Sequence, residues 1–123
     1  ALDHAEAVLR TLPAAVEAED RAKALHARLE FARAAAEAPE AAALERRIAE
    51  SPKDLEARYA LAARKVAAGE YETAMDQLLA IMQRDRGFGD DAGRRGLLGV
   101  FELLGGSGPV VDKYRRKMAS ALH

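Results

Sequence analysis

The sequence predicts an all-α chain of antiparallel helical hairpins. Two observations carry that expectation. Alanine, Glu and Arg abound while aromatics make up only 5% and prolines number four, a mixture that favours helix over strand. Apolar residues also recur at three- and four-residue spacing in seven successive stretches, each bounded by Pro or Gly.

The first stretch, 1–13, sets Leu2, Ala5, Leu9 and Leu12 at helical spacing, and Pro13 is expected to end it. The second, 17–37, places Ala22, Leu25, Leu29, Ala32 and Ala36 on one stripe, with Glu17, Glu19 and Asp20 suited to the positive N-terminal end. It should be the longest helix. Pro39 opens a short third helix in which Ala41, Leu44 and Ile48 face the core and Arg46 and Arg47 do not. Together 17–50 reads as a degenerate hairpin.

The next boundary has the clearest chemistry. Ser51 can cap, Pro52 suits the first helical position and Asp54 supplies a capping-box acid, so a helix is expected over 52–68. Gly69 provides a left-handed stop, and the following helix aligns Tyr71, Ala74, Met75, Leu78 and Met82. After the break "RGFGDD", Asp90 or Asp91 is placed to cap a sixth helix with Leu97, Leu98, Phe101 and Leu104 apolar. Gly93, Gly96 and Gly99 within it each cost up to about 1 kcal/mol relative to alanine, so close packing or controlled mobility must account for them. "GGSGP" then precedes a seventh helix over 109–122, which pairs with the sixth to make 90–123 a C-terminal helical pair.

Composition removes whole classes of chemistry. The chain has no cysteine, hence no disulfide, thiolate metal site or C-x-x-C redox motif. No apolar run approaches the roughly 20 residues that span a bilayer, and the start lacks the pattern of a signal peptide. A cytoplasmic, non-membrane protein is the expectation. His4, His26 and His123 show no metal-ligand spacing, and Thr11, Thr73, Ser51, Ser107 and Ser120 stand in no nucleophile context. "GFGDDAGRRG" lacks the P-loop pattern, and Asp90 and Asp91 would repel phosphate. No enzyme activity, metal or cofactor is expected.

Periodicity adds an organisation. With Gly69 at the interhelical turn of a 34-residue tetratricopeptide-type repeat, residues 55–88 bring Leu61, Ala62, Gly69, Tyr71, Ala74 and Leu78 to pattern positions. Small Ala62 and Ala74 let two helices approach, and Leu61, Tyr71 and Leu78 fill the space around the crossing. The best repeat is therefore 52–88. Arg58 and Lys65 stand where aromatics are usual, and Arg86 replaces the closing proline. Ala5 precedes Ala74 by 69 residues, close to two periods, so 1–13 reads as the second helix of a truncated repeat.

The terminal segment "DKYRRKMASALH" is cationic. Residues 1–54 carry 8 bases against 11 acids, 55–111 carry 7 against 8, and 112–123 carry 4 against 1. On a helical projection Val111, Tyr114, Met118 and Leu122 share a stripe, with Lys113, Arg116 and Lys117 opposite and Arg115 at its edge. A stripe of this size must be covered. Either it caps the helical stack, as repeat arrays require, or it anchors a partner. The near-neutral chain, with a formal net charge of −1, argues against nucleic acid as the partner of the basic helix.

"AEAVLRTLP", "LEARYALAARKVAAGEYETAMDQLLAIMQRDR" and above all "KYRRKMASAL", in that order and spacing, resemble the tetratricopeptide tail of the chaperedoxins. These are thioredoxin-like co-chaperones of bacteria. The resemblance covers nearly the whole chain and implies a TPR-like right-handed superhelix belonging to a holdase. It implies an upstream thioredoxin-like domain that these residues do not include. It further implies that unfolded or partly folded proteins are bound and handed to the chaperonin GroEL or the Hsp70 system. On that reading Tyr114, Arg115, Arg116, Lys117, Met118 and Leu122 engage the partner, while Arg58, Tyr59 and Lys65 offer a groove to client polypeptide. The alternative expectation is a structural, self-associating scaffold.

Overall fold

The computed structural model describes the backbone of residues 2–121 and the side chains of residues 15–121. Among these the secondary structure is entirely helical, in six helices: α1 (Leu2–Glu37), α2 (Ala41–Glu50), α3 (Leu55–Ala67), α4 (Tyr71–Arg84), α5 (Ala92–Leu103) and α6 (Pro109–Ala121). The expected break at Pro13 does not occur, and the first two predicted helices form one. Proline removes one backbone donor at a cost of about 3 kcal/mol, a local penalty that a helix continuing for many further residues can absorb.

α3 and α4 form the central hairpin, turned by Gly69 at φ 78°. Ala62 and Ala74 are fully buried in one cluster with Met75, Leu78, Ile81 and Met82, whereas Leu61 turns to Leu44 and Ala57. The apolar stripe read from the sequence is thus the stripe that packs. α2 packs on α3 through Leu44, Ala57 and Leu61. This corrects the expected hairpin between the second and third predicted helices, because α2 takes α3 as its main neighbour while α1 lies across α3 and α5.

The start of α3 also differs from expectation. Residues 52 and 53 are a turn closed by the Asp54 amide donating to Ser51 O, and Asp54 is the cap. Its Oδ1 accepts from the Ala57 amide at 3.0 Å, and its carboxylate takes Nε and Nη2 of Arg47 at 3.1 and 3.2 Å. A carboxylate with these two partners satisfies the helix end better than a serine hydroxyl could.

α1 packs through a face other than its leucine stripe. Its packed face is Ala24, Ala27, Phe31, Ala34 and Ala35, whereas the predicted stripe of Ala22, Leu25, Leu29, Ala32 and Ala36 faces outward. Leu25 and Leu29 are 57% and 55% exposed. The cause is the neighbour. A Cβ on Gly99 of α5 would lie 3.1 Å from the Ala27 Cβ, so this approach admits only small residues on both helices, with Phe31 as the single large filler.

α5 packs equally closely on α4. A Cβ on Gly93 would meet Leu78 O at 2.9 Å and Met82 N at 3.0 Å, and one on Gly96 would meet Leu78 Cδ2 at 2.6 Å. Close packing therefore accounts for the glycines. Asp91 occupies the N-cap position of α5 with φ 64° and makes no side-chain cap bond, so the expected acidic cap is absent. Arg95 instead ties the preceding loop, donating to Asp90 O and Gly89 O at 2.8 and 3.1 Å. Leu98 is 39% exposed.

Candidate protein-interaction surfaces

α6 closes the array. Val111, Tyr114 and Met118 turn into the chain and are 1%, 1% and 9% exposed, lying mainly against α4. Tyr114 Oη donates to Asp76 Oδ1 at 2.6 Å and also reaches Glu72 O at 3.3 Å. Burial first, then the hydrogen bond to Asp76 and the charges of Asp76 and Glu72, raise the phenol well above its ordinary pKa. Lys113 pairs with Glu72 at 3.4 Å, and Lys117 Nζ stands 4.8 Å from the Tyr114 ring centroid. The Lys117 ammonium therefore caps the outer face of the buried ring.

The proposed partner-binding residues thus separate into two sets. Tyr114 and Met118 are internal anchors, and Leu122 lies outside the described residues. Arg115, Arg116 and Lys117 are exposed. Arg115 donates to Gly106 O at 3.0 Å and lies over the Phe101 ring at 5.4 Å, fastening α6 to the glycine-rich turn after α5. Lys113, Arg116 and Lys117 border an open depression with Leu79, Gln83 and Ser120. A partner approaching α6 meets this basic rim.

Arg58, Tyr59 and Lys65 all sit on α3 but have different surroundings. Arg58 donates to Pro52 O and Gln77 Oε1, each at 2.9 Å. Lys65 reaches Glu70 at 3.3 Å and Glu45 at 3.9 Å. Tyr59 stacks on Phe31 with centroids 6.3 Å apart, and burial raises its pKa, with Glu30 adding to the effect. It lines a groove with Ala34, Ala60 and Phe88, a groove that neither Arg58 nor Lys65 borders.

Among the described residues no cluster of His, Asp or Glu could hold a metal ion. No described helix is long and apolar enough to cross a membrane. Asp76 and Glu72 escaped the sequence reading because they lie 38 and 42 positions from Tyr114, and no local spacing signals such a pair.

Stacked helical hairpins, a left-handed glycine between α3 and α4, and small residues at their crossing agree with a match of residues 34–123 to the tetratricopeptide repeat. The chain belongs to the tetratricopeptide repeat family. Comparison with curated proteins and with solved structures returned no match. Tetratricopeptide repeats are typically non-enzymatic modules that bind other proteins, and the match supports a protein–protein interaction module here. α1 lies almost wholly outside the matched residues.

Proposed function

We propose that this tetratricopeptide domain is the interaction tail of a thioredoxin-like co-chaperone, a holdase that keeps unfolded proteins and passes them to the chaperonin GroEL or the Hsp70 system. The reading rests on the resemblance of "KYRRKMASAL" to the chaperedoxin tail. The observation that carries it is the arrangement of α6: its apolar stripe is spent on closing the array, which leaves Lys113, Arg116 and Lys117 outward as a docking rim. A basic rim steers and orients a partner whose contact surface is acidic. A thioredoxin-like partner domain and a cytoplasmic location belong to the same proposal.

The test uses charge reversal, because deleting α6 would strip the core of Val111, Tyr114 and Met118. Arg116→Glu/Lys117→Glu should retain the helical spectrum and lose chaperonin co-elution at moderate salt. Undiminished co-elution would sink the docking role. Arg58→Ala or Lys65→Ala should weaken suppression of client aggregation without affecting chaperonin binding. Unchanged suppression in both variants would remove the client role of Arg58 and Lys65.

A further inference from the structure

The outward face of α1 is more ordered in sequence than a solvent face needs to be. Ala15, Ala18, Ala22, Leu25, Leu29, Ala32 and Ala36 alternate steps of three and four residues without interruption, the spacing of a coiled-coil seam, and all seven are exposed. Most of them point away from the face carrying Ala27 and Phe31, while Ala32 lies at the edge, beside a depression it shares with Phe31, Val66 and Leu103. The seam also precedes most of the matched repeat region, and repeat packing therefore does not explain it.

We propose that a second copy of this chain covers this face, with the two α1 helices antiparallel. Setting Leu25 of one copy opposite Leu29 of the other pairs Ala22 with Ala32 and Ala18 with Ala36 of the second copy. Four leucines then meet at the two-fold axis, and alanines on either side let the helices come close. The flanking charges select the direction. In this register Glu19 of one copy lies beside Arg33 of the other, and the symmetry makes the pair twice. A parallel seam would instead set Arg28 beside Arg33 of the second copy, two like charges at each flank. The antiparallel arrangement does bring Arg28 towards its own copy on the other flank, where both side chains are exposed and solvent screens them.

The contact is small. A seam of this length, with alanine at most positions, buries on the order of 1,000 Å², the lower bound for a specific interface. A contact at that bound suits a reversible dimer, whose strength the experiment reads directly.

Sedimentation equilibrium of the whole chain tests the proposal. The average mass should climb from one chain towards two between about 1 and 100 μM. Leu25→Lys/Leu29→Lys should keep the circular dichroism spectrum, since both leucines are already more than half exposed. It should raise the dissociation constant at least about tenfold. Glu19→Arg should weaken association about two- to five-fold, and adding Arg33→Glu should restore it. The chain has no cysteine of its own, so direction can be read by oxidation: Ala22→Cys mixed with Ala32→Cys should cross-link, whereas Ala22→Cys alone should not. A monomer throughout the concentration range would assign the face to a different protein and overturn the proposal. A dimer indifferent to the leucine variant, or self-cross-linking of Ala22→Cys, would overturn it as well.

Discussion

The phenol of Tyr114 donates a 2.6 Å hydrogen bond to the Asp76 carboxylate across the contact between α4 and α6. The ring is 1% exposed, and the carboxylate sits on the exposed side of α4, so one residue both fills the core and fastens the terminal helix to the surface. Hydrogen bonds to charged groups contribute about 1.5 to 3 kcal/mol. Solvent access to Asp76 puts this one at the lower end. Tyr114→Phe, which keeps the ring, should lose about 1 to 2 kcal/mol in urea denaturation, while Tyr114→Ala should cost about 3 to 5 kcal/mol.

The same contact gives an alkaline dependence. The folded phenol pKa is raised above its unfolded value, so its contribution is complete below about pH 10 and is lost as pH rises through the folded value. Stability of the native chain should therefore decline above about pH 10. Tyr114→Phe should show a shallower decline over that interval, because the unfolded phenol no longer gains by ionising. Equal slopes for the two proteins, measured as urea midpoints from pH 8 to 11, would refute the linkage.

The α5 glycines should rank by what surrounds them. An added methyl at Gly93 meets backbone atoms, Leu78 O at 2.9 Å and Met82 N at 3.0 Å, which cannot swing aside. At Gly96 it meets the Leu78 side chain, itself fully buried. Overpacking of this kind costs about 1 to 3 kcal/mol, against a gain of up to about 1 kcal/mol from helix propensity. Gly93→Ala should destabilise most and Gly96→Ala less. Gly99→Ala, facing Ala27 Cβ at 3.1 Å, should lie near neutral by thermal denaturation. Reversal of the first and last would show that α4 and α5 are not held this closely.

These glycines also mark how far the sequence could be read. The central hairpin was legible because Leu61, Ala62, Gly69, Ala74 and Leu78 obey local spacing and the larger residues point inward. α1 was not, because Leu25 and Leu29 are on the outer face and, among the described residues, its packed face is alanine with one Phe. Its neighbour is a glycine-bearing helix, and a rule that places the largest residues inside fails where the partner demands small ones. The terminal stripe was legible as amphipathic, yet its cover depended on α4, about forty residues away. Periodicity along one helix carries no information about which helix receives it.

Asp54 should link the end of α2 to the start of α3. The Ala57 amide, and then the bond and charge of Arg47, lower its carboxyl pKa despite an opposing effect of burial. A depressed folded value means the contribution is present above the unfolded value near pH 4 and is lost as pH falls through the folded one. Asp54→Asn retains a cap acceptor and should cost under about 1 kcal/mol, whereas Asp54→Ala removes both bonds and should cost about 1 to 2 kcal/mol. Chemical denaturation at pH 7 and pH 3 checks both parts, since the difference between native and Asp54→Ala proteins should shrink at the lower pH.

Arg64 braces the joint between α1 and α2. Its Nη2 donates to Ala38 O and its Nε to Pro39 O, both at 2.7 Å, so one guanidinium on α3 straps the two carbonyls of the connecting turn. The turn has few bonds of its own, and Pro39 cannot donate one. Two short charge-assisted bonds in a fixed planar geometry suit arginine and not lysine, whose single ammonium cannot reproduce the fork. Arg64→Ala should cost about 1.5 to 3 kcal/mol, and Arg64→Lys should recover less than half of that. Hydrogen exchange should locate the effect. The amide of Ala38, which donates to Ala35 O at the end of α1, should lose protection before the amides of α4 do. A lysine variant as stable as the native chain would mean that positive charge, not the fork, holds α1 to the repeat.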